Sequence, residues 1–203
     1  SMKIICIGRN YVAHAKELNN TLPDAPVIFM KPQTALLQKG KDFYLPDFSK
    51  DIQYECELVV KICKNGKYIQ EKFAKNYFEE ITVGLDFTAR DLQQQQKEKG
   101  LPWEIAKAFD NSAVVGNFIP LAAKDFQQLH FQLFKNEAVV QNGFSGDMLF
   151  SIHQIIAYVS QFFSLNKGDL IFTGTPAGVG SLHVGDTLCG KLEGQPLFEI
   201  AIK

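Results

Sequence analysis

Three carboxylate side chains stand where two predicted strands could bring them together. Glu55 and Glu57 lie in the segment Gln53–Ile62 and Asp86 lies in Glu80–Phe87, and both segments are rich in apolar and β-branched residues. Because alternate side chains of a strand share a face, Glu55 and Glu57 point the same way. Three converging carboxylates favour a hard divalent cation that keeps positions for water and substrate. The alternative is a solvated strand face, with Asp86 as a turn former.

A histidine and a glutamate lie three residues apart in a predicted helix, Tyr11–Leu18. On a helix this spacing places His14 and Glu17 on one face. A carboxylate that orients an imidazole makes a general base, because it fixes the ring and stabilises the imidazolium that forms. From the spacing alone, a solvated helical face is the more common explanation.

Two further features could serve the same chemistry. Lys107 has apolar neighbours on both sides, so it could lie buried as an oxyanion donor or extend its ammonium to the surface. The segment Gly174–Gly180 contains three glycines and a proline directly after a predicted strand. Its backbone amides and the Thr175 hydroxyl could bind a carboxylate, although a plain turn between strands has the same composition.

The elements that would position these residues are mostly short strands with a few helices between them. This mixture predicts an α+β domain built mainly of β-sheet, and the absence of a Gly-x-Gly-x-x-Gly segment argues against a doubly wound nucleotide-binding fold. The predicted strands are Lys3–Ile7, Val27–Met30, Gln53–Ile62, Glu80–Phe87, Phe131–Lys135, Ala138–Gln141, Asp169–Thr173 and Gln195–Ile202, and the predicted helices are Tyr11–Leu18, Ala89–Lys99 and Ser151–Phe163.

Composition limits the class of partner. With 203 residues, 46% of them hydrophobic, the chain suits one domain over residues 1–203. A net charge of −1 and a pI near 6.4 give no basic surface for nucleic acid or acidic membranes, which favours a small-molecule partner. The four scattered cysteines have no zinc-like spacing, and no apolar run reaches the ~20 residues of a membrane span. We expect a cytoplasmic protein.

Taken together in their order along the chain, these features resemble the fumarylacetoacetate hydrolase family, in its small single-domain branch of acylpyruvate hydrolases and related decarboxylases. The resemblance spans nearly the whole chain. The segments that carry it are Gly8–His14 with Glu17, Phe29–Pro32, Tyr54–Leu58, Asp86–Gln93, Trp103–Lys107, Gln141 with Asp147–Met148, and Gly168–Gly180.

The resemblance implies a fold, a metal and a set of site residues. The fold would be a mixed, mainly β sheet rolled around the active site, in a homodimer, and the metal would be Mg²⁺ with Mn²⁺ as the alternative. The segment Asn19–Pro26 would act as a lid that sets the size of the pocket. The implied metal ligands are Glu55, Glu57 and Asp86, the implied catalytic residues are His14, Glu17 and Lys107, and the implied substrate contacts are Arg9, Gln93 and Thr175.

Two positions depart from the family pattern. Larger relatives have a further carboxylate ligand ahead of the histidine, where this chain has Ile7 and Gly8, so water would complete the metal's coordination. Relatives often have Arg-Gln where this chain has Val140 and Gln141, which makes the following loop a weaker candidate for the site.

The implied reaction is metal-dependent hydrolysis of a C–C bond in acylpyruvates such as acetylpyruvate or fumarylpyruvate, with release of pyruvate enolate. Two other kinds of reaction need the same stabilisation of an enolate by the metal and are alternatives. They are decarboxylation or tautomerisation of oxaloacetate, and isomerisation of 2-hydroxyhepta-2,4-diene-1,7-dioate. The pair of His14 and Glu17 favours hydrolysis, because decarboxylation requires less base machinery. A metal-stabilised binding scaffold without turnover is the alternative from another class.

Overall fold

Strands outnumber helices in the computed structural model, which describes residues 2–18, 21–121 and 126–203. Asn19 and Asn20, the first residues of the expected lid, lie outside this range. The strands are β1 (Ile4–Gly8), β2 (Val27–Lys31), β3 (Ile52–Tyr54), β4 (Cys56–Ile62), β5 (Phe78–Asp86), β6 (Thr88–Ala89), β7 (Ala113–Val115), β8 (Ile119–Pro120), β9 (His130–Lys135), β10 (Ala138–Phe144), β11 (Leu170–Phe172), β12 (Gly180–Ser181), β13 (Thr187–Leu192) and β14 (Gln195–Ala201). The α-helices are α1 (Val12–Glu17), α2 (Arg90–Lys99), α3 (Glu104–Lys107) and α4 (Ile152–Phe162), and the 3₁₀ helices are Gln33–Ala35, Glu71–Asn76 and Ser145–Asp147.

The strands form three sheets, of which the largest has the order β2-β1-β11-β4-β5-β7, with β8 also paired to β5. This sheet is mixed, because β1 and β11 run parallel whereas the other pairs are antiparallel. A second, antiparallel sheet has the order β10-β9-β13-β14, and a small third sheet has the order β12-β3-β6. The predicted α+β class, with a mixed sheet curled around the site, is confirmed.

Both faces of the central strands are buried, which explains their almost continuous apolar sequences. In β4, Leu58 and Val60 pack into the main core, and the intervening Val59 packs into a second, smaller core on the opposite face. In β5, Val83 and Leu85 likewise face the main core. The polar positions at the ends of these strands are therefore surrounded by protein.

The predicted strand Gln53–Ile62 is two strands in the structure. The chain leaves the small sheet after Tyr54 and enters the large sheet at Cys56, so that β3 pairs with β6 and β12 whereas β4 pairs with β5 and β11. Glu55 lies at this change of sheet. The break turns Glu55 towards the end of the large sheet.

Six of the strands and α-helices listed above were absent from the sequence-based prediction: the short strands β6, β7, β8 and β12, the longer β13, and the short α3. In β13, Gly190 interrupts the apolar alternation, which weakens the strand signal. The glycine is needed because a Cβ there would collide with the Phe198 ring on the paired strand. Helix α3 is a single turn, too short to give a periodic pattern.

Helix α4 is the element that the sequence specifies best. Ser151 accepts a hydrogen bond from the Gln154 amide, and the Gln154 side chain accepts one from the Ser151 amide, which together form a capping box. Ile152, Ile155 and Val159 are buried on its inner face.

We expect Ser151→Ala to lower the stability of the protein by about 1 kcal/mol, because the first turn loses one of its caps. For a domain of this size the melting temperature should fall by roughly 2–4 °C in differential scanning fluorimetry. Gln161→Ala, at an exposed position of the same helix, serves as the control. Equal melting temperatures for the two variants would contradict the role of the cap.

Over the described residues, no helix combines the length and the apolarity that crossing a bilayer requires.

Candidate active site

The three predicted metal ligands meet at one end of the large sheet. Carboxylate oxygens of Glu55, Glu57 and Asp86 all lie within 4.8 Å of one another. Their exposures are 5%, 2% and 0%, so a solvated strand face is excluded. This is the one such cluster of potential ligands among the residues that the structure describes.

Strand alternation explains why the cluster forms. Leu58 and Leu85 point into the main core, so that Glu57 and Asp86, one position away on adjacent strands, point to the opposite face. Cys56, between the two glutamates in the sequence, packs into the main core. The Asp86 amide donates to the Glu55 carbonyl at 2.8 Å, which keeps the third carboxylate in line with the other two.

Three buried or half-buried cations contact Glu55 or Asp86, namely Lys107, Arg90 and Lys31. Lys107 Nζ lies 2.8 Å from Glu55 Oε2 and 2.7 Å from Asp86 Oδ2, and Arg90 donates to Glu55 Oε1 at 2.6 Å. Lys107 is 3% exposed, so its ammonium lies inside the site. Although burial alone would raise it, the pKa of Glu55 is held well below its usual range by Lys107 and Arg90.

Among the residues that the structure describes, no cation forms an ion pair with Glu57. Its Oε2 accepts a hydrogen bond from the Gly174 amide at 2.8 Å. Burial, followed by the negative charges of Asp86 and Glu55, raises the pKa of Glu57 well above its usual range. The cluster is therefore electrostatically unfavourable at this carboxylate as it stands.

The donor set fits a hard divalent cation on two observations. Three carboxylates with no sulfur or imidazole ligand among them are the chemistry that Mg²⁺ and Mn²⁺ select. Asp86 Oδ1 is buried without a hydrogen bond, and its contact with Lys31 Nζ, at 2.8 Å, has the distance of an ion pair but not the geometry of a hydrogen bond. A cation ligated here would satisfy that oxygen and compensate Glu57.

His14 and Glu17 form a pair at the edge of the same pocket. His14 Nδ1 lies 3.2 Å from Glu17 Oε2, and the histidine is 5% exposed. Glu17 is itself held, because its Oε1 accepts a hydrogen bond from the Gly178 amide at 3.0 Å. The imidazole lines the pocket beside the carboxylates, which leaves Nε2 as the nitrogen that can exchange a proton.

The glycine-rich loop after β11 connects the two groups. The Gly174 amide binds Glu57 and the Gly178 amide binds Glu17, so these amides hold carboxylates of the protein rather than one of a substrate. Both glycines have positive φ angles, 104° and 101°, and a Cβ at Gly174 would lie 2.6 Å from Asn10 Cβ. Only glycine fits at these positions.

Thr175 and Gln141 lie behind the carboxylates. The Thr175 hydroxyl donates to the Cys56 carbonyl and accepts from Gln141 Nε2, at 2.8 and 2.9 Å, so its proton is already used. Gln141 Oε1 in turn accepts from the Cys56 amide at 2.8 Å. Gln141, a weak candidate from the sequence, therefore fixes the backbone between Glu55 and Glu57.

Arg9 lines the pocket from a strained turn. Its φ is +58°, a left-handed value that costs energy in a residue with a side chain. The buried Asn10 holds the turn, because its amide group donates to the carbonyls of Phe150 and Thr173 and its oxygen accepts from the Phe150 amide. Strain maintained in this way is typical of a functional position.

The structure brings the predicted site residues to one pocket. All nine line it except Glu17, which stands behind His14. Gln93 Oε1 accepts a hydrogen bond from Arg90, which also binds Gln53 and Glu55.

Lys31 and Arg90 belong to the site, although sequence reasoning assigned neither of them a role. Lys31 Nζ contacts Asp86, the Lys107 carbonyl and the Ser112 carbonyl and hydroxyl. It therefore joins a candidate ligand to the turn that carries Lys107. Both residues lie in segments that carry the family resemblance, and that position is the one signal that could have found them.

Comparison with known proteins identifies the class. The family model described as "Fumarylacetoacetate (FAA) hydrolase C-terminal" matches residues 3–200, and the chain belongs to this family. It is 39% identical over 201 residues to the mitochondrial oxaloacetate tautomerase FAHD1 of Mus musculus, covering 98% of this chain and 91% of that one. It is 40% identical over 197 residues to the oxaloacetate tautomerase YcgM of Escherichia coli, covering 96% and 90%.

A solved structure supports the same assignment. The fumarylpyruvate hydrolase from Pseudomonas aeruginosa, crystallised with Mn²⁺ and pyruvate, superposes with a TM-score of 0.92 at 34% identity, covering 98% of this chain and 88% of that one. The 2-hydroxyhepta-2,4-diene-1,7-dioate isomerase from Mycobacterium marinum superposes with a TM-score of 0.86 at 33% identity, covering 100% and 74%. An enzymatic role follows from the family, whereas these relatives differ in reaction.

Proposed function

We propose that this protein is a divalent-metal-dependent enzyme that interconverts the enol and keto forms of oxaloacetate. The observation that carries the proposal is the buried cluster of Glu55, Glu57 and Asp86 in one pocket with the pair of His14 and Glu17. The two curated relatives described above are oxaloacetate tautomerases, and their names shift the balance from the C–C hydrolysis that the sequence favoured.

Glu55, Glu57 and Asp86 would hold Mg²⁺ or Mn²⁺. When bound, such an ion supplies Lewis-acid polarisation of the 2-oxo group and compensates the negative charge of an enolate. Glu55 and Asp86 are already fixed by Arg90, Lys107 and Lys31, so the ligands need little reorganisation.

The chain's own groups provide the proton transfer. Tautomerisation moves one proton between C3 and the 2-oxo oxygen, with no net gain or loss of atoms. His14 Nε2 accepts the proton from one position and returns one to the other, while Glu17 on Nδ1 keeps the ring oriented and stabilises the imidazolium. The Lys107 ammonium lies beside the carboxylates, where it stabilises negative charge on the 2-oxo oxygen of the substrate.

Hydrolysis of an acylpyruvate is the second candidate, and the His14–Glu17 pair favours it because the same base could deprotonate a water. The similarity to a fumarylpyruvate hydrolase points the same way. The two reactions use the same groups but release different products, since only hydrolysis of acetylpyruvate or fumarylpyruvate yields pyruvate.

The two reactions separate in one assay series with Mg²⁺ and then with EDTA. Ultraviolet absorbance follows the loss of enol-oxaloacetate, and coupled lactate dehydrogenase measures pyruvate from oxaloacetate and from acetylpyruvate, each against an enzyme-free control. We expect the enzyme to accelerate the loss of the enol, and EDTA to abolish this effect. The amount of pyruvate formed should not exceed that of the enzyme-free control. Pyruvate from acetylpyruvate would instead support the hydrolase. A melting temperature raised by Mg²⁺ with none of these substrates consumed would favour the scaffold.

A further inference from the structure

Helix α2 presents one polar face to the pocket. Arg90, Gln93 and Lys97 line it, at spacings of three and four residues that place them on one side of the helix. Gln94, Glu98 and other residues of the opposite side are exposed. The glutamine-rich sequence therefore hides a stripe of three side chains directed at the site.

The side chains of Arg90 and Gln93 are hydrogen-bonded within the protein, whereas that of Lys97 has no hydrogen bond or ion pair among the residues that the structure describes. Arg90 binds Glu55, Gln53 and Gln93. Lys97 is half-buried, and its ammonium lies over the Trp103 ring, 5.9 Å from the centroid. Burial, followed by the positive charges of Arg9 and Arg90, lowers the pKa of Lys97.

Arg9, like Lys97, is a half-buried cation without an ion pair in the described part of the chain. Both residues line the pocket. Two cations that face one cavity repel each other, and burial removes part of the water that would screen them. An anionic group between them would relieve both costs.

The exposure of the lining residues increases from the base of the pocket to its mouth. The carboxylate cluster and Lys107 are 0% to 5% exposed, whereas Arg9 and Lys97 are half-buried. On the proposed function, the 2-oxo acid head of the substrate binds at the cluster, so the remainder of the molecule extends towards the two cations. We propose that Lys97, with Arg9, binds the second carboxylate of a 2-oxo dicarboxylate and thereby selects diacids over 2-oxo monoacids.

The indole of Trp103 supports this role. It packs against Phe29, with ring centroids 5.9 Å apart, so its position is fixed by a neighbouring strand. The Lys97 ammonium lies over this fixed ring, and both side chains line the pocket. A flexible lysine is thus restrained before the ligand binds, which lowers the entropic cost of the contact.

The test uses a matched pair of stable probes, 2-oxoglutarate and 2-oxovalerate, which have five carbons each and differ in a terminal carboxylate against a methyl group. Isothermal titration calorimetry of the Mg²⁺-loaded protein should show preference for the diacid by about tenfold or more, the size expected for a charge-assisted hydrogen bond. Lys97→Gln should remove most of this preference with little effect on 2-oxovalerate. Lys97→Arg should retain it, and Lys99→Gln, an exposed control on the same helix, should match the wild type.

Turnover gives a second readout. For oxaloacetate, Lys97→Gln should raise KM about tenfold with kcat little changed, because the contact is remote from the proton transfer. Equal weakening of both probes in Lys97→Gln, equal wild-type affinity for them, or binding of neither would overturn the proposal. Diacid preference without turnover of oxaloacetate or acetylpyruvate would instead refute the proposed reaction and leave the role of Lys97 standing.

Discussion

Replacing Glu57 by glutamine should make the metal-free protein more stable while abolishing its stabilisation by Mg²⁺. Glu57 is 2% exposed beside two other carboxylates, and no cation in the described part of the chain forms an ion pair with it, so its charge is costly to bury. Glutamine has the same shape, and its amide oxygen can still accept the hydrogen bond from Gly174. We expect a gain of about 1 kcal/mol or more, which corresponds to roughly 2–4 °C per kcal/mol for a domain of this size.

The same substitution removes one of three anionic ligands, so the metal site loses much of its affinity. Mg²⁺ should raise the melting temperature of the wild type, because a hundredfold excess over Kd adds about 2.7 kcal/mol to the free energy of unfolding. The melting temperature of Glu57→Gln should not change with Mg²⁺. Glu79→Gln, at an exposed position on the same strand as Asp86, is the control. A metal-free variant less stable than the wild type, or one still stabilised by Mg²⁺, would contradict this account of the cluster.

Replacing His14 by glutamine should lower kcat/KM for oxaloacetate tautomerisation by roughly a hundredfold to ten-thousandfold, the range for loss of a general base. The thermal shift with Mg²⁺ should persist, because His14 contacts Glu17 rather than the three carboxylates. Stopped-flow or conventional absorbance of the enol measures the first quantity, and scanning fluorimetry measures the second.

A series on α1 separates the base from the residue that orients it. Glu17→Gln should lower kcat/KM less than His14→Gln does, since the imidazole can still accept a proton without its carboxylate partner. Lys16→Gln, exposed on the same helix, should leave the rate unchanged. Full activity of His14→Gln on both oxaloacetate and acetylpyruvate would remove His14 from the mechanism.

The sequence predicted the convergence of the three carboxylates, because local patterns determine most of it. Strand alternation placed Glu57 on the correct face, and the two predicted segments do pair as β4 and β5, which brings Asp86 beside it. The predicted helix Ser151–Phe163 corresponds to α4, whose apolar residues recur with the helical period. Such features depend on a few neighbouring residues, so a single sequence contains the information.

The sequence could not predict partners that tertiary contacts select. Lys31 reaches Asp86 and the turn that carries Lys107, and Arg90 reaches Glu55. From the sequence alone, a lysine or an arginine is expected at the surface, because the neighbouring residues do not reveal a buried carboxylate that is distant in sequence. The break at Glu55 was missed for a similar reason, since it depends on two different sheets that compete for one continuous apolar segment.

The arrangement of the glycine loop has a consequence for how the protein folds. Glu17 and Glu57 come from the first third of the chain, whereas the amides that hold them, of Gly174 and Gly178, follow a strand that pairs in parallel with β1. The anchoring contact of Lys3 with Asp169 closes a loop of 166 residues. Closing so long a loop is entropically slow compared with forming a hairpin, so β4 and β5 can pair early while the complete site forms only at the end of folding. An ion that requires all three carboxylates in place would therefore stabilise the finished protein without guiding its assembly.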